Sequence, residues 1–286
     1  MTGPSPVVAR WDLGRRLREK RDLLGLTGAA AGRLVGLSAT FLSDVENGKK
    51  NLPEDKLEAL IRSFEFDEAD AAELRTLRLT ASQRGWWSRF GGLFTPDVLR
   101  MYGYEHGAEV VLSFDSSLVL GLLQTHDYAQ AVIESGSPNV RLAEAGRRVE
   151  ARMTRQRRLT GEGPLRLTAV MGEAALHQQI GGREVLLGQL RHLETMIEQL
   201  PDTLDVLIVP FSAPGHAAMD SSFELFTFPS PTLPNLAWLQ TLTSGEIIED
   251  PIRVREYSIA HASAVEVALS RSDSLGLIRQ RAKDLA

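Results

Sequence analysis

The stretch from Thr27 to Asn47, TGAAAGRLVGLSATFLSDVEN, constrains this chain more than any other of similar length. It reads as two short helices joined at Gly36-Leu37. Thr27 stands at an N-cap position, where its hydroxyl accepts from a first-turn N–H, and Ser38 does the same for the second helix. Gly36 supplies the positive φ that a tight turn between them requires. Gly28 and Gly32 each lower helix stability by about 1 kcal/mol relative to Ala. Gly32 is expected at a steep helix crossing, where a small residue is needed. In the second helix Leu42 and Val45, with Leu37 before it, form the inward face. Thr40, Ser43 and Asn47 fall at i, i+3 and i+7 on the outward one.

Two short helices in this arrangement form a helix-turn-helix, whose second helix presents its outward N-terminal residues to base edges in the major groove. Ala39, Thr40 and Ser43 suit that task, since a methyl meets thymine and hydroxyls donate or accept. Lys49 and Lys50 follow where the chain would pass the phosphate backbone. Asp44 repels phosphate but can accept from a cytosine amino group. Thr27, Ser38 and Asn47 complete the candidate DNA-contacting set. Before the motif, Leu13, Leu17 and Leu24 mark an amphipathic helix closed by Gly25. After it, Pro53 is expected at N1 of a fourth helix. DEADAAELRTLRLTASQ, acidic first and basic later, is a fifth. A domain of this size offers limited specific contact area, so two half-sites and a homodimer are expected.

The chain has 286 residues, 43% of them hydrophobic and 24% charged, which suits an ordinary folded protein of two domains. Its net charge of −5 argues against wholesale nucleic-acid binding, but the charge is uneven. Through Arg62 there are eleven Lys/Arg and eight Asp/Glu, a balance of +3, so the remainder carries −8. Only this mildly basic head is expected to approach phosphate. The lack of cysteine excludes disulfides and thiolate metal sites and fits a reducing cytoplasm. No run of roughly eighteen apolar residues occurs, so no membrane span is expected. The N-terminus lacks the apolar stretch of a signal peptide.

The segment ATFLSDVENGKKNLPEDKLEALIRSF resembles the lambda-repressor-like, xenobiotic-response-element (XRE) type of bacterial DNA-binding domain. The pattern there is Ser-x-x-x-hydrophobic-Ser-x-hydrophobic-Glu-x-Gly, matched by Ser38, Leu42, Ser43, Val45, Glu46 and Gly48. The resemblance implies a five-helix repressor-like domain that reads an operator. Two positions depart from it. Gly28 stands where the family commonly has a phosphate-reaching glutamine, and Asp44 stands where a basic or amide residue is common.

Beyond the head, Trp86 and Trp87 are adjacent and point to different sides, so at least one needs a second surface. Pro96 opens a helix expected to run through DVLRMYGYEHGAEVVLSF, with Tyr102, Tyr104 and His106 along a groove or interface. Thr125 caps a helix to Gly136. Val140 to Leu159 is a long arginine-dense helix, expected to present a solvated basic face with local ion pairs. LRLTAVM, LDVLIVPF, SFELFTF and LAWLQTL read as strands, and helices are expected in REVLLGQLRHLETMIEQL, from Pro251 to Leu269, and in LIRQRAKDL. This order gives a small mixed sheet with flanking helices, an α/β arrangement. The loop Pro210 to His216 leaves a buried strand, where ligand pockets commonly open. Trp86, Trp87, Tyr102 and His216 are the candidate partner or ligand pocket.

LVLGLLQTHDYAQAVIESG, followed in order by RMTRQRRL, GEAAL, QLRHL, VPFSAPGHA and LQTLTSG, resembles the C-terminal domain of actinobacterial antitoxin-like transcriptional regulators. That resemblance implies a regulator encoded beside a small partner protein.

Glu173 and His177 lie at i and i+4, but His126, His192, His216 and His261 are scattered, and metal binding needs a third ligand. There is no HExxH, P-loop, GxGxxG after a strand, or Gly-x-Ser-x-Gly elbow. No catalytic residue, metal or cofactor is expected, and the chain does not read as an enzyme. The sequence therefore predicts a mostly α helix-turn-helix domain over 11–66, a helical bridge over 67–114, and an α/β domain over 115–286 for dimerisation and partner or ligand binding. The expected function is sequence-specific, antitoxin-like transcriptional regulation on double-stranded operator DNA, in the bacterial cytoplasm at the nucleoid. The alternative is a protein-binding antitoxin or adaptor with little DNA affinity.

Overall fold

The computed structural model describes residues 4–136, 142–241 and 245–286. Its chain forms two compact units, one ending at Arg89 and the other beginning at Phe90.

In the first unit α1 (Pro6–Leu23) begins earlier than the leucine pattern indicates, because Ser5 caps it and Pro6 occupies its first turn. There follow α2 (Gly28–Val35), α3 (Ala39–Glu46), α4 (Glu54–Ser63) and α5 (Glu68–Ala81). Pro53 stands at the N-cap of α4 rather than at N1. Leu17, Leu42, Leu57, Leu60, Phe64 and Leu74 join in one buried core, each burial contributing about 1.5–3 kcal/mol. α5 packs against α1, and a short 3-10 turn, Trp86–Phe90, follows it.

The second unit opens with α6 (Pro96–Gly107) and β1 (Val110–Asp115). This corrects the expectation of one helix through Phe114. Ala108 turns extended at the C-cap (φ −72, ψ 147), and the β-branched pair Val110-Val111 starts a strand instead. The stretch 67–114, set apart above as a bridge, is thus divided, with α5 packed on α1 and α6 on β6 (Gly245–Ile248). Between β1 and β6 come α7 (His126–Gly136), α8 (Leu142–Arg155), β2 (Arg166–Gly172), α9 (Arg183–Gln199), β3 (Leu204–Val209), β4 (Phe223–Thr227) and β5 (Leu236–Gln240). The unit ends with α10 (Pro251–Val267) and α11 (Arg271–Asp284). Of the helix expected from Val140, residues 140 and 141 lie outside the described residues, as does Leu242 of the strand expected over LAWLQTL.

The six strands form one mixed sheet in the order β3-β2-β1-β4-β5-β6, with β1, β2 and β3 parallel and the rest antiparallel. Two of them, β1 and β6, go beyond the four strands expected. Phe114, Phe223, Leu225 and Ala237 pack under α10 on one face. The alternate residues Ser113, Glu224 and Trp238 are cross-strand neighbours, so they lie together on the opposite face.

Candidate nucleic-acid interface

The helix-turn-helix is built as its caps and turn dictate. Thr27 Oγ1 accepts from Ala30 N at 3.2 Å, and Ser38 Oγ accepts from Phe41 N at 3.1 Å. Gly36 sits at φ 67, in the left-handed region. Gly32 is the close contact between the two helices, since a Cβ there would stand 2.5 Å from Leu37 O. Leu42 and Val45 are buried, which fixes the rotation of α3. Ser38, Ala39, Thr40, Ser43, Lys49 and Lys50 are consequently exposed, and Asp44 and Asn47 half-buried.

A buried ion pair holds α3 against α1. Arg21 Nε and Nη2 donate to both oxygens of Glu46, at 2.6 and 2.9 Å, while Nη1 donates to Leu26 O and Asp22 Oδ1 at 2.8 and 2.7 Å. Hydrogen bonding to Glu46 is the largest cause of an Arg21 pKa raised above the ordinary value. Glu46 thus has a structural role at the end of the reading helix. Its partner Arg21, 25 residues away, carried no local signal in the sequence.

Two outward groups are tied. Asn47 Nδ2 donates back to Ser43 O at 2.8 Å, closing the end of α3. Lys50 Nζ lies 2.8 Å from Asp44 Oδ2 and 5.3 Å from the centroid of Phe41. The acidic residue on the reading helix is therefore paired with its own lysine, and Lys49 is a further exposed cation beside them.

The four residues of the expected pocket are divided between the two units. Trp86 and Trp87 are in the first unit, stacked edge to face at 5.8 Å with Trp87 buried. In the second unit Tyr102 is buried against Phe94 (5.4 Å) and under the Arg155 guanidinium (5.1 Å). His216 instead rests on Phe114 at 5.2 Å, on the α10 face, and burial lowers its pKa. Glu173 accepts from Phe211 N at 2.7 Å and pairs with His177 at 3.3 Å, so both side chains hold the Pro210 loop. Among the described residues no three His, Cys, Asp or Glu cluster as metal ligands.

The arginines of α8 meet the expectation of a solvated basic face with local ion pairs only in part: Arg147 is exposed and Arg148 pairs with Glu144 at 3.5 Å, but the others turn inward. Arg148 donates to Leu93 O at 2.9 Å, and Arg152 to Gln124 Oε1 at 2.7 Å. Arg155 grips both oxygens of Glu105, and Arg158, just beyond α8, donates to Ala108 O at 2.8 Å. Carbonyls and a carboxylate on either side of and within α6, with the Gln124 amide for Arg152, draw these side chains inward. Burial opposes the charge on Arg155, but Glu105 and Glu224 more than offset it and raise its pKa. Burial lowers Arg152 to about 10 and raises Glu224 to about 7.

Residues 12–74 match the family model described as a helix-turn-helix domain. Residues 98–280, more than half of the chain, match the model described as a domain of unknown function (DUF5753). No curated protein and no solved structure matches the chain. No helix among the described residues is long and apolar enough to cross a membrane. With a helix-turn-helix of the DNA-binding kind at its head and this domain over most of its body, the chain belongs to the DUF5753 family.

Proposed function

We propose that this chain is a sequence-specific, antitoxin-like transcriptional regulator of XRE type that reads the major groove of operator DNA with α3. It acts as a homodimer in the bacterial cytoplasm, at the nucleoid. The observation that carries the reading is the exposed row Ser38, Ala39, Thr40 and Ser43 on a helix pinned from behind by the buried Arg21–Glu46 pair. A rigid helix with small hydroxyl and methyl groups outward suits base-edge contact, while Lys49 and Lys50 supply phosphate contact. The second unit serves dimerisation and the binding of a small neighbour-encoded protein or ligand. Sequencing the genomic DNA retained by the purified protein, with and without that partner, tests this directly. A recurring motif whose preference shifts in Thr40→Ala or Ser43→Ala supports the reading, and a random sample of the genome sinks it.

One observation favours the adaptor reading. Asp44 takes up Lys50, and Gly28 offers no side chain to phosphate, so the electrostatic grip of this head is small. Co-purification of the neighbour-encoded protein with no DNA retained at low salt would select that reading.

A further inference from the structure

The second unit carries a half-open cavity of about 280 Å³ where β1 and β5 end and β4 begins, lined by Asp115, Gln124, Arg152, Glu224, Trp238 and Gln240 among others. Its place follows from the topology. From β1 the chain steps outward through β2 to β3, then returns to lay β4 on the other side of β1. The strand order reverses at β1. In open α/β sheets, ligands bind in the crevice outside the strand ends at such a point.

Three side chains lining it lack the partners that burial demands. Arg152 has one neutral acceptor, Gln124, and among the described residues no carboxylate within 4 Å. Glu224 Oε2 and Trp238 Nε1 are buried with no hydrogen-bond partner among the described residues. These last two are neighbours across β4 and β5. The indole is held in place by Gly245, where a Cβ would stand 1.9 Å from Trp238 Cη2. Phe114, Val119 and Phe223 supply an apolar part of the lining.

We propose that this cavity binds a small organic carboxylate that also carries a hydrogen-bond donor. The carboxylate accepts from Arg152 and the Trp238 N–H, and the ligand's hydroxyl or amine donates to Glu224. Competing classes fit worse. A purely cationic ligand meets Arg152 and Arg155. A purely apolar one leaves buried polar groups unmatched, at about 1–3 kcal/mol each. The inference rests on the proposed role of the second unit as a ligand-binding body, but it is measured without DNA.

The test titrates the full-length protein with 4-hydroxybenzoate and indole-3-acetate, and with the neutral amide of each, by calorimetry and tryptophan fluorescence. At least one anion is expected to bind with a Kd below roughly 1 mM and about tenfold more tightly than its amide. Arg152→Gln is expected to abolish that preference and leave the amide's weak affinity unchanged. Trp238→Phe, which keeps a ring and removes only the N–H, is expected to weaken the anion several-fold and carries the test should Arg152→Gln not fold. Neither anion binding, or equal binding of anion and amide in the wild type, overturns the proposal. A preference that persists in both variants overturns it as well. DNA retention by the same preparation separates the two readings. Carboxylate bound without DNA counts against the regulator alone, and DNA bound without carboxylate counts against the cavity alone.

Discussion

Each unit fastens a helix with a buried arginine–glutamate pair, Arg21–Glu46 in the first and Arg155–Glu105 in the second. What surrounds the two pairs differs. Around Arg21 the charges are matched, since Glu46, Asp22 and Leu26 O take up its donors. The pair fixes α3 from behind and leaves the outward row unobstructed. Around Arg155 the pairing is incomplete: Arg152 has no carboxylate within 4 Å among the described residues, and Glu224, 3.8 Å from Arg155, is only partly engaged. Matched buried charge sets a surface, whereas unmatched buried charge beside a cavity sets a site for another molecule.

The largest expected effect comes from breaking the first pair. Glu46→Ala strands a buried guanidinium and should cost about 3–5 kcal/mol. Amide exchange should show protection lost in α1 to α3 and kept in the sheet of the second unit. Equal losses in both units would break the contrast. Next is Gly32→Ala, where the added methyl would meet Leu37 O at 2.5 Å. A cost of about 1–3 kcal/mol is expected, with DNA retention falling alongside the urea midpoint of the first unit.

The incompletely paired carboxyl of the second unit gives a smaller, pH-dependent effect. Burial raises the Glu224 carboxyl from 4.5 to about 7. The folded unit therefore keeps a proton that the unfolded chain has already released. Its contribution is fully present below about pH 4.5 and is lost as pH rises through about 7. Burial moves His192, His216 and His261 the other way, lowering each, which adds stability as pH rises. Comparing Glu224→Gln with wild type cancels the histidines. The variant should gain on wild type in urea midpoint from pH 5 to 8, and a constant difference would contradict the burial of that charge. The smallest effect is Gly28→Gln. No atom lies within 4 Å of a Cβ there, so the glutamine fits and adds one phosphate contact. Operator binding should tighten two- to fivefold, about 0.5–1 kcal/mol; no change would mean that the start of α2 is not at the backbone.

The motif was legible because its determinants are local. Thr27 and Ser38 cap helices three residues away, Gly36 turns, and Leu42 and Val45 set the inward face within one short helix. β1 was not, because only Gly107 marks the end of α6 and no proline or turn cluster separates it from Val110, and the strand's partners Arg166 and Thr227 lie far along the chain. The α8 arginines failed for the same reason. A sequence shows an arginine-rich helix, but whether it faces water depends on Glu105, fifty residues before Arg155. At Lys50 the sequence shows the charge but not its pairing, since Asp44, six residues before it, lies 2.8 Å from the lysine ammonium.

The central claim is that α3, with Lys49 and Lys50 beside it, lies against DNA. A salt titration of the recovered operator duplex, wild type against Lys49→Ala/Lys50→Ala, tests it most directly. The account predicts weaker binding across all sequences and a log–log salt slope flattened by about 2. A slope unchanged by the loss of both lysines would contradict it.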